Sequence, residues 1–144
     1  NYFSPSNGQR YESTFSSRFS SNLTIGREFA FKKGGVLQTT TRILYNGGHR
    51  YSPLDAAASL VAGSYVPDYS QYNTVQIPNF FRIDARIAYR FNKDKLAGRI
   101  SLDIQNLLNH DNISFVGYSK VDNELFFDSD HSGFTPVLAF TFDF

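Results

Sequence analysis

An all-β fold, and within it a transmembrane antiparallel β-barrel fragment, is the fold class this sequence predicts. Three observations predict it. The chain closes on Pro136-Val-Leu-Ala-Phe-Thr-Phe-Asp-Phe144, where Leu138, Phe140, Phe142 and Phe144 alternate with Val137, Ala139, Thr141 and Asp143. A period of two is the period of a strand, whose side chains leave opposite faces in turn. Here one face is large and apolar and the other small or polar. A greasy exposed strand invites aggregation in water, but a strand whose outer face meets lipid does not. Four earlier segments alternate in the same way, at or above the about 9–11 residues that a tilted membrane-spanning strand needs. The connections also alternate between short and long, as in outer-membrane barrels with short periplasmic turns and long extracellular loops.

The first strand is expected at about 19–31, with Phe19, Leu23, Ile25, Phe29 and Phe31 on one face and Asn22, Thr24, Gly26 and Glu28 on the other. Arg27 falls on the apolar face by parity, near its edge, where a guanidinium can snorkel to headgroups. Lys32-Lys-Gly-Gly35 is a short turn whose glycines supply positive φ. The second strand is expected at about 36–46, with Leu37, Thr39, Thr41, Ile43 and Tyr45 opposite Gln38, Thr40 and Arg42.

The third, at about 80–91, has the cleanest alternation: Phe81, Ile83, Ala85, Ile87, Tyr89 and Phe91 against Arg82, Asp84, Arg86, Ala88 and Arg90. A short turn follows at Asn92-Lys-Asp-Lys95. The fourth strand, about 98–108, sets Ile100, Leu102 and Ile104 against Arg99, Ser101, Asp103 and Gln105. The fifth, about 136–144, is the terminal strand. The long loops are then 47–79 and 109–135, rich in Tyr, Ser, Asn, Asp and Gly, and the run Ala56-Ala-Ala-Ser-Leu-Val-Ala62 suggests a short helix in the first.

If the terminal strand runs inward, both short turns fall on the periplasmic side and both long loops outside. Phe29, Phe31, Tyr89, Phe91, Phe142 and Phe144 then form one aromatic girdle, and Tyr45 and Phe81 belong to the other. Five strands cannot enclose a lumen, and in lipid every strand edge must be paired. The segment is therefore expected to be part of a larger barrel or of an oligomeric one. The alternative is a soluble antiparallel sandwich with a phenylalanine-rich core.

Composition narrows the function classes. The 144 residues suffice for one domain and include no Cys, Met or Trp, so neither a disulfide framework nor a thiolate metal site is available. A net charge of +1 gives no support to a nucleic-acid surface. Phe (15) and Tyr (9) make 17% of the chain, yet no apolar run approaches a membrane-spanning helix. That does not count against a barrel, whose strands alternate. The chain opens on Asn1-Tyr-Phe-Ser-Pro5 without an export signal, which an outer-membrane protein needs. A longer polypeptide is the expectation.

No catalytic constellation stands out, so the chain is read as not an enzyme and without a cofactor. His49, His110 and His131 fall in or beside the loops without metal-ligand spacing. Asp111, Asp122, Glu124, Asp128 and Asp130 crowd the last loop but lack the spacing of a calcium loop. Both groups are read as ordinary loop residues, and no metal site is assigned.

Two sets of binding candidates remain. Glu28, Arg42, Arg82, Asp84, Arg86, Arg90, Arg99, Asp103 and Gln105 share the inward, lumen-facing side by parity. They dock a polar plug or line a solute path, or simply pair across a polar wall. A register that opposes Arg86 and Asp103 also places Arg90 beside Arg99, and predicts an Arg86–Asp103 contact with the two arginines splayed toward carboxylates or water. Tyr51, Tyr65, Tyr69 and Tyr72 crowd the first long loop. Their apolar bodies and polar tips can stack on sugars, hold a partner protein, or pack the loop on itself.

Three stretches carry a family resemblance. Asn22-Leu-Thr-Ile-Gly-Arg-Glu-Phe29 with Leu44-Tyr-Asn-Gly-Gly-His-Arg-Tyr-Ser-Pro53 is the first, Phe81-Arg-Ile-Asp-Ala-Arg-Ile-Ala-Tyr-Arg-Phe91 the second, and Ser101-Leu-Asp-Ile-Gln-Asn-Leu-Leu-Asn109 the third. Together with the terminal phenylalanine they resemble the C-terminal barrel of TonB-dependent outer-membrane receptors, most strongly the Bacteroidota-type group. Phe140, Phe142 and Phe144 resemble the sorting signal read by the barrel-assembly machinery. The resemblance implies the last five strands of a plugged barrel of roughly 22 strands, and import of a siderophore, vitamin, glycan or peptide. It also implies partners: outer-membrane lipid, the rest of the barrel and its plug, TonB acting through an N-terminal part, and in some members a surface lipoprotein. The plug and the TonB-contacting segment are not in this sequence. A passive porin or adhesin-type barrel is the second functional expectation, and a soluble β-sandwich binding module the third.

Overall fold

The computed structural model describes residues 2–3, 10–32, 34–93, 96–129 and 132–143. It is an antiparallel all-β structure with one short α-helix. In chain order the elements are β1 (Tyr2–Phe3), β2 (Tyr11–Glu12), β3 (Ser20–Ala30), β4 (Gly35–Asn46), β5 (Arg50–Tyr51), α1 (Ala56–Ala62), a 3₁₀ turn (Tyr69–Gln71), β6 (Val75–Gln76), β7 (Phe80–Lys93), β8 (Leu96–Gln105), β9 (Ile113–Ser119), β10 (Glu124–Ser129) and β11 (Thr135–Asp143). The chain divides into two compact units.

One unit (Ser21–Tyr45, Phe81–His110, Ser132–Phe144) holds a five-stranded sheet in the order β11-β8-β7-β4-β3. The β7–β8 hairpin pairs Ala85 with Ile104 and Lys93 with Leu96, and β8 pairs antiparallel with β11 from Gln105↔Thr135 to Ala97↔Asp143. Both short turns thus stand at one end of the sheet, and both long connections leave from the other. Parity and register agree. Ile87, Leu102 and Leu138 form one cross-strand row, and Tyr89, Ile100 and Phe140 the next.

These apolar side chains are uncovered. Ile87 is 53% exposed, Leu138 59% and Phe140 55%, and Leu23, Ile25, Phe29, Leu102 and Phe142 are exposed as well. On the opposite face Ala88 is 1% and Ser101 4% exposed.

Aromatic rings rim the apolar face at both ends. At the short-turn end, ring centroids lie 6.2 Å apart for Phe31–Tyr89, 6.3 Å for Tyr89–Phe91 and 6.5 Å for Phe91–Phe142. Gly98 is the partner of both Phe91 and Phe142. A Cβ there would come within 2.6 Å of the Phe91 ring, so the glycine makes room for the two rings that close over it. At the other end Tyr45 meets Phe81 edge-on at 6.2 Å. The guanidinium of Arg27 lies 4.9 Å from the Phe29 ring centre, a cation–π contact that accommodates a charge on this face.

Element ends depart from expectation where backbone chemistry intervenes. The fourth strand stops at Gln105 instead of continuing to about 108, because Asn106 turns to φ 51°. Asn92 and Lys93, expected in the turn, stay paired with Ala97 and Leu96, so the hairpin is tighter. In the β3–β4 turn Gly34 takes φ 87°, and Phe31 donates its N–H to Gly35 O at 2.7 Å. The turn residues Lys33, Asp94 and Lys95 lie outside the described residues, as do Asp130, His131 and Phe144.

The other unit (Asn1–Ser20, Asn46–Phe80, Asp111–His131) contains the long connections, which carry more structure than a loop reading suggests. The helix stands at Ala56–Ala62, capped by the Asp55 carboxylate, which accepts from Ala58 N, and by left-handed Gly63. The β9–β10 hairpin was not anticipated. It is tied to the helix by Tyr118, whose hydroxyl donates to Asn123 Oδ1 (2.9 Å), while Asn123 Nδ2 donates to Ala56 O (3.1 Å). A buried polar knot holds the unit together. Arg50 pairs with Glu12 and donates to Asn73 O and Thr74 O, and Asn73 Nδ2 donates to Glu12 O at 2.7 Å.

Candidate functional site

The polar face of the five-stranded sheet brings together the charged residues assigned to it by parity. Arg42, Arg82, Asp84, Arg86, Asp103 and Gln105 line one concavity. Glu28, Arg86 and Arg99 line a second together with Gln38, and Arg90 joins Arg99 in a third.

Three interaction sets organise this face. At the long-loop end, Arg82 holds Asp84 with two nitrogens, Nε–Oδ1 at 3.0 Å and Nη2–Oδ2 at 3.1 Å. Residues i and i+2 of a strand share a face, so this pair is local. At mid-height Arg86 Nε lies 3.4 Å from Asp103 Oδ1, and Ser101 Oγ donates to Asp103 Oδ2 at 3.4 Å. The predicted Arg86–Asp103 contact is therefore present. Toward the short-turn end, Arg99 donates to Gln38 Oε1 at 3.3 Å, and Gln38 Nε2 donates to Glu28 Oε1. Arg99 thus reaches a neutral amide rather than a carboxylate. The Arg99–Gln38 bond crosses β7, which lies between β8 and β4. Arg42 completes the face by donating to Asn22 Oδ1 at 3.2 Å.

The end of β8 is built by two asparagines whose structural role the sequence reading did not assign. Asn106 (φ 51°) and Asn109 (φ 50°) both adopt the left-handed backbone that Asn tolerates better than most residues. Asn106 is 2% exposed. Its amide donates to His110 O (3.0 Å) and Ser132 O (2.9 Å) and accepts from His110 N (3.0 Å), and its backbone N–H donates to Asp84 Oδ1 (3.0 Å). Asn109 Oδ1 accepts from Phe134 N at 2.8 Å. Asp84 thus serves both Arg82 and the strand end, and the asparagines staple the two chain segments that flank the last long loop. The signal was there in the spacing Gln-Asn-Leu-Leu-Asn, since Asn is the residue that ends strands through left-handed turns.

The four loop tyrosines do different things. Tyr51 packs edge-on against Phe127 at 5.7 Å. The Tyr65 hydroxyl donates to Ser52 O at 2.9 Å, and its pKa is raised, chiefly because burial disfavours the phenolate. Tyr69 and Tyr72 stack face to face at 6.0 Å, with Tyr11 edge-on to Tyr72 at 5.3 Å. Asp68 caps the 3₁₀ turn beneath them, and hydrogen bonds from Ser70 hold its pKa below the ordinary carboxylate value. Tyr51, Tyr65 and Tyr72 pack the loop, whereas Tyr69 offers an open ring face, 67% exposed.

His49 stands edge-on to Phe15 at 5.7 Å and His110 edge-on to Phe81 at 5.9 Å. Among the described residues no three of His, Asp and Glu come together as a metal site. In the last loop Asp122 accepts from Ser119 Oγ at 2.7 Å, a turn interaction.

No family model, no curated protein and no solved structure matches this chain.

Proposed function

We propose that the five-stranded sheet is one wall of a β-barrel in the outer membrane of a Gram-negative bacterium. In this reading the chain is the C-terminal part of a TonB-dependent importer of a large solute: a siderophore, vitamin, glycan or peptide. The observation that carries the reading is the uncovered apolar face, Leu23, Ile25, Ile87, Leu102, Leu138 and Phe140 among them, backed by a charged face on the same strands. In water such a face costs about 25 cal/mol for every Å² left uncovered. Against hydrocarbon it costs nothing.

The aromatic rows at both ends of that face fit the two interfaces of a bilayer. The unpaired edges of β3 and β11 call for further strands, since lipid tolerates no open sheet edge. The resemblance of the Asn22–Phe29, Phe81–Phe91 and Ser101–Asn109 stretches supplies the rest: roughly 22 strands, a plug, and TonB. The part played by this chain is mechanical. It closes the barrel, forms part of the lumen wall through residues such as Arg42, Arg86, Asp103 and Gln105, and presents loops to the outside. Phe140, Phe142 and Phe144 would direct assembly.

A passive porin or adhesin-type barrel is the competing reading, since a charged wall also suits an open channel. The test is made on the full-length polypeptide. It should fractionate with the outer membrane, require detergent for extraction, and migrate differently on gels before and after boiling. It should also bind the periplasmic domain of TonB. Membrane location without TonB binding supports the passive barrel, and a monomer soluble without detergent overturns both.

A further inference from the structure

Arg90 and Arg99 are direct partners across the β7–β8 hairpin. Their Cα atoms therefore lie about 5 Å apart and their side chains leave the same face. Like charges so placed repel. Four residues further along each strand, the same hairpin sets Arg86 against Asp103, so the register does match opposite charges elsewhere. Among the described residues Arg90 makes no hydrogen bond or ion pair. Arg99 reaches only the neutral oxygen of Gln38, whose own N–H is committed to Glu28. Both arginines line a concavity of ≈ 500 Å³, shared with Asn92, Thr141 and Asp143. Among the described residues Asp143 is the one acid in this lining, and it forms no ion pair with any of them. Among the described residues the concavity thus holds two guanidiniums against one carboxylate, with an amide and a hydroxyl beside them.

We infer that this concavity is an oxyanion site, in which a small phosphate- or carboxylate-bearing solute bridges Arg90 and Arg99. A guanidinium offers a planar fork of donors that matches two oxygens of one anion. Two forks side by side grip opposite edges of the same group, and the bound charge removes the repulsion between them. Asn92 and Thr141 supply neutral donors. The site does not depend on what covers the other face of the sheet.

The full-length polypeptide, folded in detergent micelles, is titrated calorimetrically with inorganic phosphate and, separately, with citrate at low salt. Saturable binding of one of them is expected, weakening as sodium chloride is raised. Arg90→Gln and Arg99→Gln should each weaken it at least tenfold, and Asp143→Asn should tighten it. The stronger of the two anions identifies the phosphate or the carboxylate source. Lys93→Gln removes a cation of opposite parity on the same strand and should leave binding unchanged. Circular dichroism verifies the strand content of each variant. Where Arg90→Gln fails to fold, Arg90→Lys keeps the charge, removes the fork, and should still lose affinity. Absence of saturable binding of both anions by the native chain overturns the site, as does an equal loss in Lys93→Gln.

Discussion

Arg86 and Asp103 face each other directly across β7 and β8, and their side chains form an ion pair at 3.4 Å. The pair anchors the register of the hairpin, because a slip of one residue would send every side chain of one strand to the opposite face. The side chains are 42% and 31% exposed, so solvent screens much of the attraction. A double-mutant cycle with Arg86→Gln and Asp103→Asn should return a coupling of about 0.5–1 kcal/mol, in the range of partly exposed pairs. Urea unfolding of the four proteins measures it. Zero coupling would leave the apolar rows, not the ion pair, as the sole keeper of register.

Asn106 is a harder residue to replace. It is buried, its backbone is left-handed, and both ends of its amide are engaged. Asn106→Asp puts a carboxylate oxygen where the amide nitrogen faced the carbonyls of His110 and Ser132. Asn106→Gly keeps the backbone free to turn but deletes the amide. The Asp variant should lose about 2–4 kcal/mol, since it leaves unsatisfied groups and adds a repulsive charge, and the Gly variant about 1–2 kcal/mol. Denaturant midpoints give the order, and faster exchange of the His110 amide should accompany both. A Gly variant less stable than the Asp variant would mean that the bond from His110 N, which Asp retains, outweighs the repulsion that the carboxylate adds.

Tyr65 gives the first long loop a pH limit. Its folded pKa lies above its ordinary 10.0, with burial the largest cause. The neutral phenol is therefore favoured in the folded loop. That contribution is complete below pH 10 and is lost as pH rises through the folded pKa. Absorbance titration at the tyrosinate band should show one tyrosine ionising above the ordinary 10.0. Tyr65→Phe should remove that late step and weaken the contact with Ser52. If the late step survives in Tyr65→Phe, another tyrosine is responsible.

The alternation Phe81–Phe91 was enough to place β7 and to sort its side chains, because a period of two has one geometric meaning in a strand. The Arg86–Asp103 contact was expected from matching opposite charges across the hairpin, not from its turn, which is tighter than the one expected at 92–95. Two kinds of feature were not legible. The Arg99–Gln38 bond joins residues two strands apart, a cross-sheet coincidence that no single segment encodes. The long connections read as polar loops because β9 and β10 are short and irregular. Their order rests on side-chain-to-backbone bonds such as Asn123 to Ala56 O, which leave no periodicity. The Arg50–Glu12–Asn73 knot was missed for the same reason: its members are scattered along the chain and single in each segment.

The membrane reading itself rests on what covers Ile87, at the centre of the row Ile87–Leu102–Leu138. In water an isoleucine 53% exposed gains little from its surroundings, and Ile87→Arg should be neutral or improve solubility. At the middle of a bilayer the same substitution places a guanidinium in hydrocarbon, at a cost of about 2–4 kcal/mol. The cost should shrink toward the rim, so Phe91→Arg, at the aromatic band, should cost about 0–1 kcal/mol. Folding of the full-length polypeptide into lipid vesicles, followed by the gel shift on boiling, gives both values. A graded loss, large at residue 87 and small at residue 91, is the pattern expected of a lipid-facing surface. Equal tolerance at the two positions would mean that this face meets something other than lipid.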